Sequence, residues 1–443
     1  MKKYFIFILL LCFGFVLASC DINLKPSDDD PTPGNKPISQ SEEYDLTLKK
    51  SRALNQIKTP ANESIEFDED YFNNLQNMAF KLYEMFSKEE DGNYCVSPLS
   101  IYMALSLLDL IGDEQVKEEI SELLSLTEEE ILSAGKLFNT LSRSYQIDEG
   151  VYKKPITLTN SIWLDTAISP YANQTVLDEL ANQLYCYAYE TPFSQDNEQA
   201  NLDIRKFIAE LTKGLIDENF DIPASTLFAL INTLYFNDNW NANELKQENR
   251  NFNLSKEKQV LTNFLIGDYR RCLAYEDEIG MVCKSSTTLG YELYFFIPKA
   301  GHTFSEVMNN AYFNKALLTI NDDKNRLDYT RCIFPEFEVA SDTKVKDILA
   351  ENNYLSHAFS IYHSALLAEP LQVSDIIHKA VLKVDKKGIT GAAVTIILNK
   401  ATSAGPQDYK YHDFLVDQPF GYVLAGAQGR IVLFMGQITD PTK

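Results

Sequence analysis

The chain has 443 residues, 45% of them hydrophobic and 12% aromatic, which excludes general disorder and leaves material for a large core. Its formal charge of −23 excludes a nucleic-acid backbone as partner and favours solubility.

Lys2 and Lys3 precede an apolar run from Tyr4 to Ala18, too short to span a bilayer comfortably and readable as a secretory signal. The run ends Leu17-Ala18-Ser19-Cys20, which resembles the bacterial lipobox and implies cleavage before Cys20 and lipidation of its thiol. From Asp21 to Glu66 the composition turns to Pro, Ser, Asp, Asn and Lys, as in a flexible tether. The organisation expected is a lipoprotein signal peptide over 1–19, a lipid-anchored tether over 20–66 and one domain over 67–443. The acidic Ser27–Asp30 resembles surface-export signals of some Gram-negative lipoproteins. The expected location is the cell envelope, lipid-anchored at the outer membrane, with surface exposure as a further option. Of seven cysteines, Cys12 leaves with the signal and Cys20 is the lipidation site. Cys95, Cys186, Cys272, Cys283 and Cys332 remain, an odd, scattered set with no CxxC spacing. They read as core filler, with one disulfide left open.

Leu75, Met78, Ala79, Leu82, Met85 and Phe86 follow a helical period. Ser97 and Pro98 suit the N-cap and first position of the next helix, and Thr127 with Glu130 suits a capping box. Strands are expected over Thr157–Leu164, Phe228–Phe236 and Tyr291–Pro298, with a hairpin over Gly421–Ile438. Continuously apolar strands such as Phe228–Phe236 imply burial on both faces, hence a sheet covered by helices and an α+β class.

No HExxH, GxSxG, P-loop or strand-linked GxGxxG occurs. Acid pairs such as Glu118–Glu119 read as solvated helix surface. No catalytic residue, metal site or cofactor is indicated.

Several stretches together resemble the serpin family. Asn93–Leu108 is similar to its Asn-x-x-x-Ser-Pro-x-Ser-Ile helix opening, and Leu230–Trp240 to its Asn-x-x-Tyr-Phe-x-x-x-Trp strand. Ile333–Ser360 resembles its Pro-x-Phe segment and following helix. Leu371–Thr395 resembles the strand and hinge of its reactive loop, and Gln418–Pro441 its ending. The resemblance implies three β-sheets, a large central one of about five strands covered by about eight or nine helices, and an exposed reactive-centre loop. It implies no enzyme but a monomeric suicide inhibitor of serine endopeptidases, with cysteine endopeptidases as a second class. The protease forms an acyl-enzyme at the loop, the cut loop inserts into the central sheet, and the covalent complex stalls.

By matched position, the resemblance makes Gly388, Ile389, Thr390, Gly391, Ala392, Ala393, Val394 and Thr395 the hinge. It puts the reactive bond at Thr402–Ser403, with Lys400 and Ala401 as alternative cleavage positions, and so favours elastase-like or subtilisin-like targets. It makes Ser97, Ser100, Asn232 and His378 a polar shutter beneath the opening strands, and Trp240 the breach where the loop enters. The sequence departs from the family at the hinge. Lys386 and Lys387 replace an acidic run, and Ile389 must turn inward early, where its bulk slows insertion although burial favours it. A non-inhibitory surface binding module is therefore the alternative function, and a lipoprotein using the fold as scaffold for nutrient or glycan capture is a third.

Overall fold

The computed structural model describes residues 48–57, 67–88, 91–143, 146–148, 151–240, 244–267, 272–322, 327–329, 331–368, 370–373, 376–391 and 413–443. Among them are ten α-helices: α1 (Glu69–Phe86), α2 (Pro98–Ile111), α3 (Glu114–Leu124), α4 (Glu128–Leu132), α5 (Ala134–Arg143), α6 (Gln174–Leu184), α7 (Asn197–Leu211), α8 (Phe304–Val307), α9 (Asn310–Ile320) and α10 (Val345–Glu351). Asp68 caps α1, Ser97 caps α2 with Pro98 at its first turn, and Thr127 with Glu130 forms the expected capping box on the short α4.

The central sheet runs β1 (Arg52–Ala53), β6 (Cys186–Thr191), β5 (Ile156–Asp165), β7 (Phe228–Asn239), β17 (Gly388–Gly391), β16 (Ile377–Val384), β15 (Phe337–Lys344). A second sheet runs β13 (Leu327–Tyr329), β10 (Cys272–Glu276), β11 (Gly280–Ser286), β12 (Glu292–Pro298), β19 (Phe420–Gly426), β20 (Ile431–Ile438), β2 (Tyr94–Val96). A third runs β18 (Asp413–Leu415), β14 (Arg331–Pro335), β9 (Gln259–Ile266), β8 (Lys246–Asn253), and β3 (Gln146–Asp148) pairs with β4 (Val151–Lys153) as a ribbon. Strands β19 and β20 are buried along their whole length, as their unbroken apolar character requires. Strand β7 is not: Ala229–Asn232 are only half-buried, because a cavity opens beside them.

The central sheet has seven strands where the resemblance implied five, and the two additions carry the most information. One is β17, taken up below. The other is β1, which lies within the segment expected to be tether. Residues 48–57 are seated on the body for a physical reason: they bring backbone donors to a buried acceptor. Asp203 of α7 is fully buried, and its carboxylate accepts from the N–H groups of Lys49 (3.1 Å), Lys50 (2.9 Å) and Ser51 (3.0 Å), from Ser51 Oγ (3.1 Å) and from Gln199 Nε2 (2.8 Å). Asn55 completes the attachment by donating to Leu177 O and Cys186 O and accepting from Ala188 N–H. Leu48 packs into the cluster beneath α7, where Trp163 stacks on Tyr189 at 4.5 Å and meets Phe207 edge-on at 5.1 Å.

Candidate functional site in the central sheet

Strand β16 ends at Val384, and the chain reverses at once. The Asp385 carboxylate accepts from Lys387 N–H (2.8 Å) and Gly388 N–H (3.3 Å), while Asp385 N–H donates to Gly388 O (3.1 Å), an Asx-type turn. β17 thereby folds back on β16, with Ile389 opposite Val384, and its other edge pairs with the end of β7, Gly388 opposite Asn239 and Gly391 opposite Phe236. Gly388 is needed for closeness. A Cβ there would stand 2.2 Å from Asp238 O and 2.8 Å from Asn239 Cα, both backbone.

Trp240 clasps this turn. Its backbone N–H donates to Lys387 O (3.0 Å), its indole Nε1–H donates to Asp385 O (2.7 Å), and its buried ring meets Phe334 edge-on at 5.5 Å. The two lysines that depart from the family pattern lie in the turn itself, Lys386 within 3.3 Å of Glu244. Ile389 is fully buried. The bulk expected to slow entry is already inside the sheet in this state. Thr390 stays half-exposed, its Oγ1 3.5 Å from Asn237 Oδ1.

Past Gly391, no described residue pairs with this edge of β7 or the facing edge of β16. A cavity of about 180 Å³ occupies the gap, bounded by Leu230–Leu234, Lys379–Val381, Ser97, Ser100, Ile208 of α7 and its C-cap Thr212. Two interior strand edges thus face each other with no strand between them among the described residues.

The four shutter residues come together along this gap. Ser97 N–H donates to His378 Nε2 (3.1 Å), Ser97 Oγ accepts from Ser100 N–H (3.2 Å), and Ser100 Oγ donates to Asn232 Oδ1. The chain continues to a residue that sequence reading missed: Asn232 Nδ2 donates to Asn160 Oδ1 (2.7 Å), and Asn160 Nδ2 to Leu184 O (2.8 Å). Asn160 sits in the middle of β5 between Thr159 and Ser161, and the burial that marks its amide comes only with the fold. Because His378 Nε2 accepts a hydrogen bond, the neutral ring is the form that fits. Burial lowers its pKa to about 4, with Asp342 opposing weakly.

The remaining hinge residues Ala392, Ala393, Val394 and Thr395, the reactive bond Thr402–Ser403, the alternatives Lys400 and Ala401, and the lipidation position Cys20 lie outside the described residues. The chain reappears at β18, which runs parallel to β14 and is tied to it by a two-pronged pair, Arg331 Nε to Asp413 Oδ1 (2.8 Å) and Nη2 to Oδ2 (2.5 Å). Elsewhere, three of the cysteines read as scattered core filler meet. The sulfurs of Cys272, Cys283 and Cys332 lie within 4.8 Å of one another, and all three residues are buried.

The family described as serpin (serine protease inhibitor) matches residues 73–441. The chain is 26% identical over 392 residues to an alpha-1-antitrypsin of Meriones unguiculatus, covering 84% of this chain and 90% of that one. It is 22% identical over 372 residues to Serpin-Z4 of Arabidopsis thaliana, covering 79% and 92%. Among solved structures, thyroxine-binding globulin in complex with thyroxine is similar with a TM-score of 0.70 at 20% identity, covering 84% of this chain and 100% of that one. The thermophilic serpin tengpin in its native state is similar with a TM-score of 0.70 at 18% identity, covering 88% and 100%. The turn at Asp385, the gap it opens onto and the shutter beneath it thus stand in the fold of these relatives, and the chain belongs to the serpin family.

Proposed function

We propose that the protein is a trapping inhibitor of serine endopeptidases, with cysteine endopeptidases as a second class, and that it has no catalytic residue of its own. One observation carries this reading: β17 is wedged between β7 and β16 at one end of a gap in which no other described residue pairs with either strand. A strand-forming segment, Gly388–Leu398, begins in that wedge. In this reading the protease nucleophile attacks the Thr402 carbonyl, Ser403 departs as the new amino terminus, and the freed segment zips down the gap.

No described residue pairs with the edge of β7 from Phe228 to Tyr235 on the side of β16. At roughly 0.5–1.5 kcal/mol net per ladder hydrogen bond, with side-chain burial added, a strand of that length supplies on the order of 10 kcal/mol for distorting the protease. Asp385, Trp240 and Gly388 hold the start of that strand in register, so insertion proceeds from a formed nucleus. Shutter hydroxyls and amides can exchange partners as the strands part. The small β-branched Thr402 favours elastase-like or subtilisin-like targets. The lipobox-like Leu17–Cys20 and the polar segment after it support attachment to the cell envelope by a lipid at Cys20.

The test is incubation of the unlipidated domain with elastase, subtilisin and trypsin, followed by denaturing gels and mass spectrometry. A complex of summed mass with the cut after Thr402 is expected. Cleavage in the loop by all three without such a complex would reject inhibition and leave the binding-module reading.

A further inference from the structure

Cys272 opens β10, Cys283 lies on β11 and Cys332 on β14. On the antiparallel pair β10–β11, Ala274 stands opposite Cys283. Cys272, two residues from Ala274, therefore shares the face of Cys283. Cys332 comes from the third sheet, so the three thiols sit where the second and third sheets meet. Cys283 Sγ and Cys332 Sγ are 3.4 Å apart, and all three sulfurs fall within 4.8 Å of one another. That spacing exceeds the roughly 2.05 Å of a disulfide, and a disulfide would use two of the sulfurs and strand the third. It is close to the separation of sulfurs that share one ion at thiolate–metal distances of about 2.3 Å. No fourth His, Cys, Asp or Glu donor joins the group among the described residues.

We propose that Cys272, Cys283 and Cys332 form a three-sulfur binding site for a soft, thiophilic d10 cation, of which Cu(I) is the representative. Three sulfurs without a fourth donor suit such an ion, since closed zinc sites take four ligands and soft thiolate sets select Cu(I). Each thiol gives up its proton on ligation, so affinity must rise with pH. Bound, the ion would cross-link β10 and β11 to β14.

The protein, purified under reducing, oxygen-free conditions, is titrated with Cu(I) against a competing chelator of known affinity. The expected result is one equivalent bound per chain, sulfur-only coordination by X-ray absorption, and affinity rising with pH. Cys272→Ala, Cys283→Ala and Cys332→Ala should each weaken binding by more than the roughly 10–100-fold that loss of an outer-shell partner costs. Cys186→Ala, a buried thiol elsewhere, should leave binding unchanged. Should a variant fail to fold, wild type alone decides, because Cu(I) must then raise its melting temperature by an amount that grows with the logarithm of its free concentration. The proposal is overturned if fewer than 0.1 equivalents bind (about a tenth of the single-site stoichiometry), if the Cys283 variant binds as wild type does, or if peptide mapping finds a Cys283–Cys332 disulfide in the metal-free protein.

Discussion

Asp203 is the pin that fastens the amino-terminal segment to α7, and its removal has a calculable reach. Asp203→Ala deletes the acceptor of five hydrogen bonds. Lys49 and Lys50 N–H are only part-buried and can turn to water, but Ser51 N–H is buried, so leaving it unpaired costs about 1–3 kcal/mol. Adding the charge-assisted character of the other bonds gives a loss of about 3–5 kcal/mol if the segment stays in place. The loss cannot exceed the docking energy of residues 48–57, because beyond that point the segment detaches and takes its donors into water. A double-mutant cycle therefore separates holding from mere packing. Truncation through Leu54, Asp203→Ala and the combination should be compared by urea unfolding. In the combination, the segment's donors and the Asp203 carboxylate are removed together, so neither strands the other. It should be less destabilised than the sum of the two single changes by about 2–3 kcal/mol. Hydrogen exchange of the Lys49–Ser51 amides should accelerate in Asp203→Ala alone. Additive energies, or unchanged exchange at those amides, would refute the argument.

Other expectations follow from the gap and its surroundings. Gly388→Ala sets a methyl group against Asp238 O and Asn239 Cα, costing the seated hairpin about 1–3 kcal/mol, and hydrogen exchange at Ile389–Gly391 should rise; unchanged protection there would contradict the packing. Ile389→Glu puts a carboxyl into a fully buried position at a cost of several kcal/mol, on the order of 3–5, and gels should show cleaved protein replacing trapped complex. Equal trapping by the variant would mean that the hairpin does not lead insertion. His378 is neutral in the folded protein, with its pKa lowered from 6.5 to about 4. The unfolded chain therefore binds the extra proton between those values. That contribution, about 3 kcal/mol in full, is present above pH 6.5 and lost as pH falls toward 4, so His378→Gln should flatten the acid side of the stability curve. Asp109 runs the other way. Neither of its carboxylate oxygens has a partner, and burial first, then Glu128 and Glu114 against the opposing Lys117, pushes its pKa up to about 7. Its folded form holds the proton longer, so stability falls as pH rises through that range. Asp109→Asn should stabilise the protein at pH 8 by about 1–2 kcal/mol, read from urea midpoints.

Local rules carried much of the architecture. The caps at Ser97 and Thr127, the apolar strands and the carboxy-terminal hairpin are visible because each depends on neighbours a few residues away. The shutter and breach were visible only through the family likeness, since nothing in the spacing of Ser100, Asn232 and His378 announces that three elements converge. What stayed hidden depends on long-range pairing. Asn160 lies in a run that reads as plain strand, and Asp203 looks like an ordinary solvated helix acid until three distant N–H groups reach it. Leu48–Ile57 has tether composition, yet is held by backbone donors that composition does not encode. The three sulfurs come from three strands of two sheets, so no short motif could reveal them. Ile389 was read for bulk that slows insertion and for burial that favours it, whereas the Asp385 turn already sets that side chain inside the sheet.

The Arg331–Asp413 clamp has a mechanical outcome of its own. After β18 the chain runs into β19 and β20, which lie between β12 and β2 within the second sheet and are buried throughout. Scission anywhere in 392–412 therefore cannot shed the carboxy-terminal peptide; it stays woven into the molecule as a strand pair whose extraction would expose the core. A nicked molecule should co-migrate with the intact one in size-exclusion chromatography and fall into two pieces only in denaturant. Of the two pieces, one is held through β17 in the central sheet and the other through β18 in the third.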